Sequence, residues 1–111
     1  ERRLQTYVAE VAAAEGVEIA SRSLARFEPV AFDTASVALV EDTARALGFS
    51  VRRMPSGAGH DAQMFARICP TAMIFVPSVG GISHNVKEYT TQPDLEAGAN
   101  VLLHTLLHLA S

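Results

Sequence analysis

The stretch AMIFVP at residues 72–77 constrains the fold most, because it is apolar on both faces. A strand with one face in water alternates apolar and polar residues, whereas a strand covered by helices on both sides is a continuous apolar run. Six residues are also far too few to cross a bilayer. The stretch therefore predicts a central strand in an α/β layer.

Helical patterns surround this strand on both sides in the sequence. Gly16 follows the first pattern as a left-handed cap, Asp33 or Thr34 caps the second, and Gly48 closes it. The last pattern begins near Pro93, a residue favoured at the first helical position. The predicted helices cover about residues 4–15, 34–47, 60–68 and 93–110.

Two further strands are predicted, and they differ in character. Residues 17–28 alternate between apolar and charged side chains, which is typical of a half-buried strand in an antiparallel sheet. Residues 49–54 form a short strand after the second helix. From Asp33 onward helices and strands alternate, as in an α/β layer. The change in strand character at Pro29 indicates that the preceding piece belongs to another domain.

Charge and cysteine content exclude several classes of protein. The net charge is −3, and only two Arg-Arg pairs cluster positive charge, so the phosphate backbone of a nucleic acid has no matching surface.

The N-terminus lacks the apolar segment of a signal peptide. The single cysteine, Cys69, fits a reducing, cytoplasmic compartment and is interpreted as a packed small residue. The chain opens inside a helical pattern without methionine, which indicates a piece of something longer.

Two histidines one helical turn apart, His104 and His108, have a spacing that can chelate zinc. The metalloprotease motif requires a glutamate directly after the first histidine, and Thr105 stands there instead. A solvated polar stripe on the last helix explains both histidines, and this is the preferred interpretation. The apolar face opposite that stripe is predicted to be buried and comprises Val101, Leu102, Leu106 and Leu109.

The loop SGAGHDA at residues 56–62 is rich in glycine and leads into a predicted helix. Backbone N–H groups at such a junction can hold a carboxylate or another anion, and glycine allows a close approach. Alternatively, His60 and Asp61 only favour the start of the helix by charge and capping.

The segment GGISHNVKE at residues 80–88 follows the carboxyl end of the buried strand, where open α/β sheets place their sites. A neutral imidazole at His84 can bind a metal ion through one nitrogen, and Glu88 is a local candidate to steady the other. His84 also has the alternative role of a polar turn residue, because a catalytic zinc needs about three protein ligands.

Three segments together carry a family resemblance. MPSGAGHDAQMFA, PTAMIFVPSVGGISHNVKEYT and DLEAGANVLLHTLLHLA, in that order, closely resemble the end of the hydantoinase/carbamoylase family of metal-dependent amidases. The resemblance implies a two-domain subunit with two divalent metal ions and a lid domain that mediates homodimer formation. Residues 1–29 would then end the lid, and residues 30–111 would form the C-terminal part of a zinc-aminopeptidase-like catalytic domain.

The same resemblance implies roles for three residues. His84 would ligate one metal ion, and Gly59 and His60 would contact the substrate. The remaining metal ligands, the general base and the residues that grip the substrate carboxylate lie upstream in the family, so no catalytic residue is expected in this chain. Zinc, manganese, cobalt and nickel all accept an imidazole ligand. The chain alone is expected to bind none of them tightly.

The expected function of the parent protein is hydrolysis of a linear amide or ureido C–N bond in a small molecule, of the N-carbamoyl amino acid or allantoate class. One alternative is a dipeptidase or aminopeptidase of the wider superfamily. Another is that the isolated chain is a non-catalytic module used for assembly. The missing N-terminal part of the same enzyme is an expected partner. Partners of other kinds, such as nucleic acid or a membrane, are not expected.

Overall fold

The computed structural model describes residues 1–111 and contains four α-helices and one 3₁₀ turn. The radius of gyration is 19.9 Å, whereas a compact domain of this length has a radius of gyration of about 13 Å. The chain is therefore extended. The helices are α1 (Arg2–Glu15), α2 (Thr34–Ala46), α3 (Ala62–Phe65) and α4 (Gln92–Leu109), and the 3₁₀ turn is Val79–Gly81.

The predicted helix ends are confirmed where local capping fixes them. Gly16 ends α1 in the left-handed conformation with φ 64°. Asp33 caps α2, accepting a hydrogen bond from the Ser36 N–H at 2.7 Å. Gly48 N–H donates to Arg45 O and Phe49 N–H to Ala44 O, which is the Schellman arrangement. Pro93 lies in the first turn of α4, as predicted.

Only α2 and α4 pack against each other among the helices. Ala44, Val101 and Thr105 of these two helices are the only buried residues of the chain. The predicted buried face of α4 is therefore wrong in part, because Leu102, Leu106 and Leu109 are 50–67 % exposed. The helical period identified the apolar residues of α4, but it did not specify whether this chain covers them.

No β-ladder forms at any of the three predicted strands, residues 17–28, 49–54 and 72–77. Residues 50–54 and 72–77 make no backbone–backbone hydrogen bond at all. A strand is held by pairing with a neighbour, and the apolar pattern of 72–77 specifies burial without supplying that neighbour. The α/β layer is therefore not confirmed within this chain.

The surface carries many uncovered apolar side chains, and only 3 of 111 residues are buried. Cys69 is exposed rather than packed, and its thiol donates to Phe65 O at 3.4 Å. None of the helices combines the length and the apolar character that a bilayer span requires. The helix α1 contacts no other helix, and the domain boundary between residues 29 and 30 stays a prediction.

Candidate functional site

Two loops that are far apart in the sequence line one cavity of about 460 Å³. Residues 54–58 and His60 come from the glycine-rich loop, and Ser83, His84 and Glu88 come from the loop after the apolar stretch. Phe75 lines the cavity between them. The fold thus brings His60 and His84, which were predicted separately, to the same cavity.

The glycine-rich loop is organised around Ser56. Its Oγ accepts a hydrogen bond from the Ala58 N–H at 3.2 Å and lies 3.0 Å from Nε2 of His60. The backbone N–H groups of Gly57 and Gly59 donate to no acceptor in the chain. These two groups can therefore receive an anion.

The helix after this loop contributes little to anion binding. It spans only Ala62–Phe65, and Asp61 at its start makes no side-chain capping hydrogen bond. A helix of one turn has little macrodipole. The proposed capping role of Asp61 is therefore wrong, and the capacity of the loop for anions depends on its free N–H groups.

The second loop reverses direction at two glycines. Gly80 and Gly81 both have φ 68°, in the left-handed region where side chains other than glycine are strained. The base of the loop is closed by the Val79 N–H, which donates to Tyr89 O at 2.8 Å. The hydroxyl of Ser78 also donates to Ile82 O. These hydrogen bonds stabilise the base of the loop over residues 78–89.

His84 lies at the tip of this loop. It is the only residue other than glycine with a positive φ, at 54°. Its imidazole makes no hydrogen bond with any residue of the chain, whereas its backbone N–H donates to Oε2 of Glu88 at 2.8 Å. Glu88 therefore holds the backbone of His84 and not its ring, which corrects the expected contact between the carboxylate and the second ring nitrogen.

Phe75 and Ser56 are site residues that the sequence did not predict. Phe75 contacts the His60 ring edge-on, with centroids 6.0 Å apart, and Ser56 lies within hydrogen-bonding distance of the same ring. The sequence pattern places Phe75 only in the predicted buried strand. Its place near the carboxyl end of that stretch was a usable signal, because residues there face the site in α/β folds.

The donor atoms suit a transition-metal ion but do not complete a site. The unpaired imidazole of His84 is a typical ligand for zinc, manganese, cobalt or nickel. No three His, Cys, Asp or Glu side chains of this chain come together in a group that could hold an ion. The chain therefore offers one fitting ligand, and any complete site requires donors from outside residues 1–111.

The remaining candidates lie elsewhere. His104 and His108 are exposed on α4, and neither ring makes a hydrogen bond within the chain. They do not belong to any cluster of potential metal ligands. Their interpretation as a solvated stripe agrees with this exposure.

Comparison with known proteins gives consistent matches. The model of peptidase family M20/M25/M40 matches residues 7–108. Allantoate amidohydrolase of Bacillus subtilis is 46 % identical over 96 residues, which is 86 % of this chain and 23 % of that protein. N-carbamoyl-L-amino-acid amidohydrolase of Rhizobium meliloti is 43 % identical over 95 residues, again 86 % of this chain and 23 % of that protein.

A solved structure matches as well. A hydantoinase/carbamoylase family amidase from Burkholderia vietnamiensis is 48 % identical, with a TM-score of 0.86 over 95 % of this chain and 25 % of that one. The resemblance that the motifs carried is thereby confirmed. The chain spans about a quarter of the length of the relatives it matches.

Proposed function

Because the chain belongs to peptidase family M20/M25/M40, we propose that its parent polypeptide is a metal-dependent hydrolase of linear amide or ureido C–N bonds. The substrate class is an N-carbamoyl amino acid or allantoate, in line with the names of the relatives. The observation that carries the proposal is the convergence of the two resemblance-bearing loops on one cavity, which His60 and His84 both line.

Each side of the cavity has a role in this proposal. His84 offers an unpaired imidazole to one of two divalent ions, which when bound would polarise the scissile carbonyl. On the other side, Gly59 and His60 contact the substrate. The free N–H of Gly59 suits a carboxylate or carbonyl oxygen, and Ser56 and Phe75 hold the His60 ring in place.

The general base and the other metal ligands are assigned to the rest of the parent polypeptide. Within residues 1–111 the only carboxylate lining the cavity is Glu88, and one of its two oxygens accepts the His84 N–H. A base needs a lone pair directed at the water or group that it deprotonates. This chain by itself is therefore proposed to be inactive.

The rest of the parent polypeptide is also the proposed partner of the bare apolar surfaces. Residues 49–54 and 73–75 line a common cavity of about 490 Å³ together with residues of α2 and α4, and this lining is mainly apolar. Residues 50–54 and 73–75 make no backbone–backbone hydrogen bond. A strand of the parent polypeptide in this space would pair with both stretches and complete an α/β sheet, while other parts cover the exposed leucines of α4.

Hydrogen–deuterium exchange tests this assembly. Amides of residues 50–54 and 72–76 should exchange slowly in the full-length parent and rapidly in the isolated chain. Equal, rapid exchange in both would contradict the proposed pairing. In the parent protein, residues 1–29 are proposed to belong to a lid that forms a homodimer, and light scattering of the full-length protein measures that state directly.

The catalytic proposal is tested with the purified full-length parent supplied with manganese or zinc. Three substrate classes are compared at equal concentration, namely N-carbamoyl-L-amino acids, allantoate and dipeptides. We expect turnover of one of the first two classes that is lost on chelation. Turnover of dipeptides alone would instead assign the parent to the dipeptidases of the wider superfamily.

A further inference from the structure

His84 has a backbone conformation that its side chain does not favour. Its φ of 54° lies in the left-handed region, where a Cβ atom crowds the following carbonyl oxygen. Such conformations persist only where surrounding contacts fix them, and they cluster at functional sites. A contact that fixes this conformation also sets the direction in which the imidazole leaves the loop.

We infer that Glu88 is the positioning residue for His84, acting through the hydrogen bond that its carboxylate accepts from the His84 backbone N–H. The two atoms, His84 N and Glu88 Oε2, are 2.8 Å apart. This inference rests on the proposed function, in which the His84 imidazole is a metal ligand.

No other contact of the loop fixes the backbone of His84. The base is closed by Val79 and Tyr89, five residues away from His84 on either side. The Asn85 side chain accepts the Lys87 N–H at 3.0 Å, and Asn85 O accepts the Glu88 N–H at 2.9 Å. These bonds shape the turn that presents Glu88. Only the Glu88 side chain then returns to His84 itself.

The ring of His84 has no partner of its own in the chain. In metal sites a histidine ring is commonly oriented by a hydrogen bond to its second nitrogen, and losing such a partner costs 10–100-fold in metal affinity or activity. Here the backbone contact takes the place of that ring contact. The position of the imidazole is thus determined by the backbone conformation of His84.

A hydrogen bond to the backbone requires an acceptor oxygen but no negative charge. Glu88→Gln keeps an acceptor of the same length, whereas Glu88→Ala removes it. A direct ligand role for Glu88 predicts a different result, because the neutral amide of glutamine is a poor substitute for a carboxylate on a metal ion. The two variants therefore separate positioning from ligation.

The experiment titrates cobalt(II) into the metal-free full-length parent and follows the absorption spectrum. Glu88→Ala should weaken cobalt binding by about 10-fold or more, while Glu88→Gln stays within about 3-fold of the unmodified protein. Glu96→Ala, which removes an exposed glutamate of α4, is the matched control and should bind normally. Far-UV circular dichroism verifies that each variant is folded.

A second measurement needs no metal ion. Hydrogen exchange of the His84 amide in the metal-free protein should accelerate in Glu88→Ala and stay slow in Glu88→Gln, because only the first loses the acceptor. Unchanged exchange and unchanged cobalt affinity in Glu88→Ala would overturn the inference, as would equal losses in both Glu88 variants. His84→Ala serves as the reference: full cobalt binding in that variant would refute the proposed function itself.

Discussion

Gly98 of α4 lies directly against Val76, so that a Cβ atom added at Gly98 would be 2.4 Å from Val76 Cγ1. The absence of a side chain at this position lets α4 approach the apolar stretch 72–77. We predict that Gly98→Ala lowers the free energy of unfolding by about 1–2 kcal/mol, because overpacking outweighs the gain in helix propensity.

Urea denaturation of the full-length parent measures this change. Gly57→Ala is the matched control, because a Cβ atom there has open space and the backbone is not left-handed. It should change the free energy of unfolding little. Stabilisation by Gly98→Ala would show that α4 does not approach Val76 this closely.

Thr105 is buried between α2 and α4, and its hydroxyl has no hydrogen-bond partner. Thr105→Val keeps the shape of the side chain and removes the unsatisfied group, so it should stabilise the fold by roughly 1 kcal/mol. Thr105→Ser keeps the hydroxyl, loses a methyl group, and should destabilise it. A loss of stability in Thr105→Val, measured by urea denaturation, would mean that the hydroxyl has a partner in the assembled protein.

Asp33 gives the stability of α2 a dependence on pH. Hydrogen bonds from the Ser36 hydroxyl and then from the Ser36 N–H hold the pKa of Asp33 below its ordinary value of 3.8. Because the folded-state pKa is lowered, the stabilising contribution is complete above pH 3.8 and is lost as the pH falls through the folded-state value.

Asp33→Ala should therefore lower Tm at neutral pH. The difference in Tm between this variant and the unmodified protein should become smaller below pH 3.8. Thermal denaturation across this range provides the measurement. Asp42→Ala removes a carboxylate of the same helix that makes no hydrogen bond and should lower Tm less. A difference for Asp33→Ala that stays constant down to acidic pH would contradict the capping account.

Local features of this fold were predictable, and features that depend on distant partners were not. The caps of α2 were predictable from Asp33 and Gly48, because a cap needs only nearby atoms. The apolar stretch 72–77 was expected to form a strand, but a strand needs a neighbour, and none pairs with it here. The exposed leucines of α4 likewise lack a neighbour in this chain that would bury them.

The candidate site also combines features that could be predicted from the sequence with features that could not. His60 and His84 were identified from loop motifs, whereas the contacts of the His60 ring with Ser56 and Phe75 were not predicted. The left-handed backbone of His84 was also unforeseen, because positive φ is uncommon for residues other than glycine, although histidine adopts it more often than most. That conformation depends on Glu88, four residues later, whose carboxylate accepts from the His84 backbone N–H and not from the ring nitrogen that the sequence suggested.

Gly81 is a further test of the loop that carries His84. Its φ is 68°, and a Cβ atom there would meet no neighbour within 4 Å, so backbone strain alone opposes substitution. Gly81→Ala should cost about 1–2 kcal/mol in the loop conformation. This cost should weaken metal binding by the full-length parent about 5–30-fold. Gly81→Asn should weaken metal binding less, because asparagine tolerates this region. Equal metal affinity of the unmodified parent, Gly81→Ala and Gly81→Asn would refute the requirement for glycine at this position.

The most direct measurement of the central claim is the metal content of purified full-length His84→Ala by elemental analysis. The unmodified parent should hold two equivalents of divalent metal, and His84→Ala should lose one of them together with most turnover. His104→Ala, which removes an exposed histidine of α4, should keep both equivalents and full activity. Two equivalents and a normal rate in His84→Ala would contradict the account.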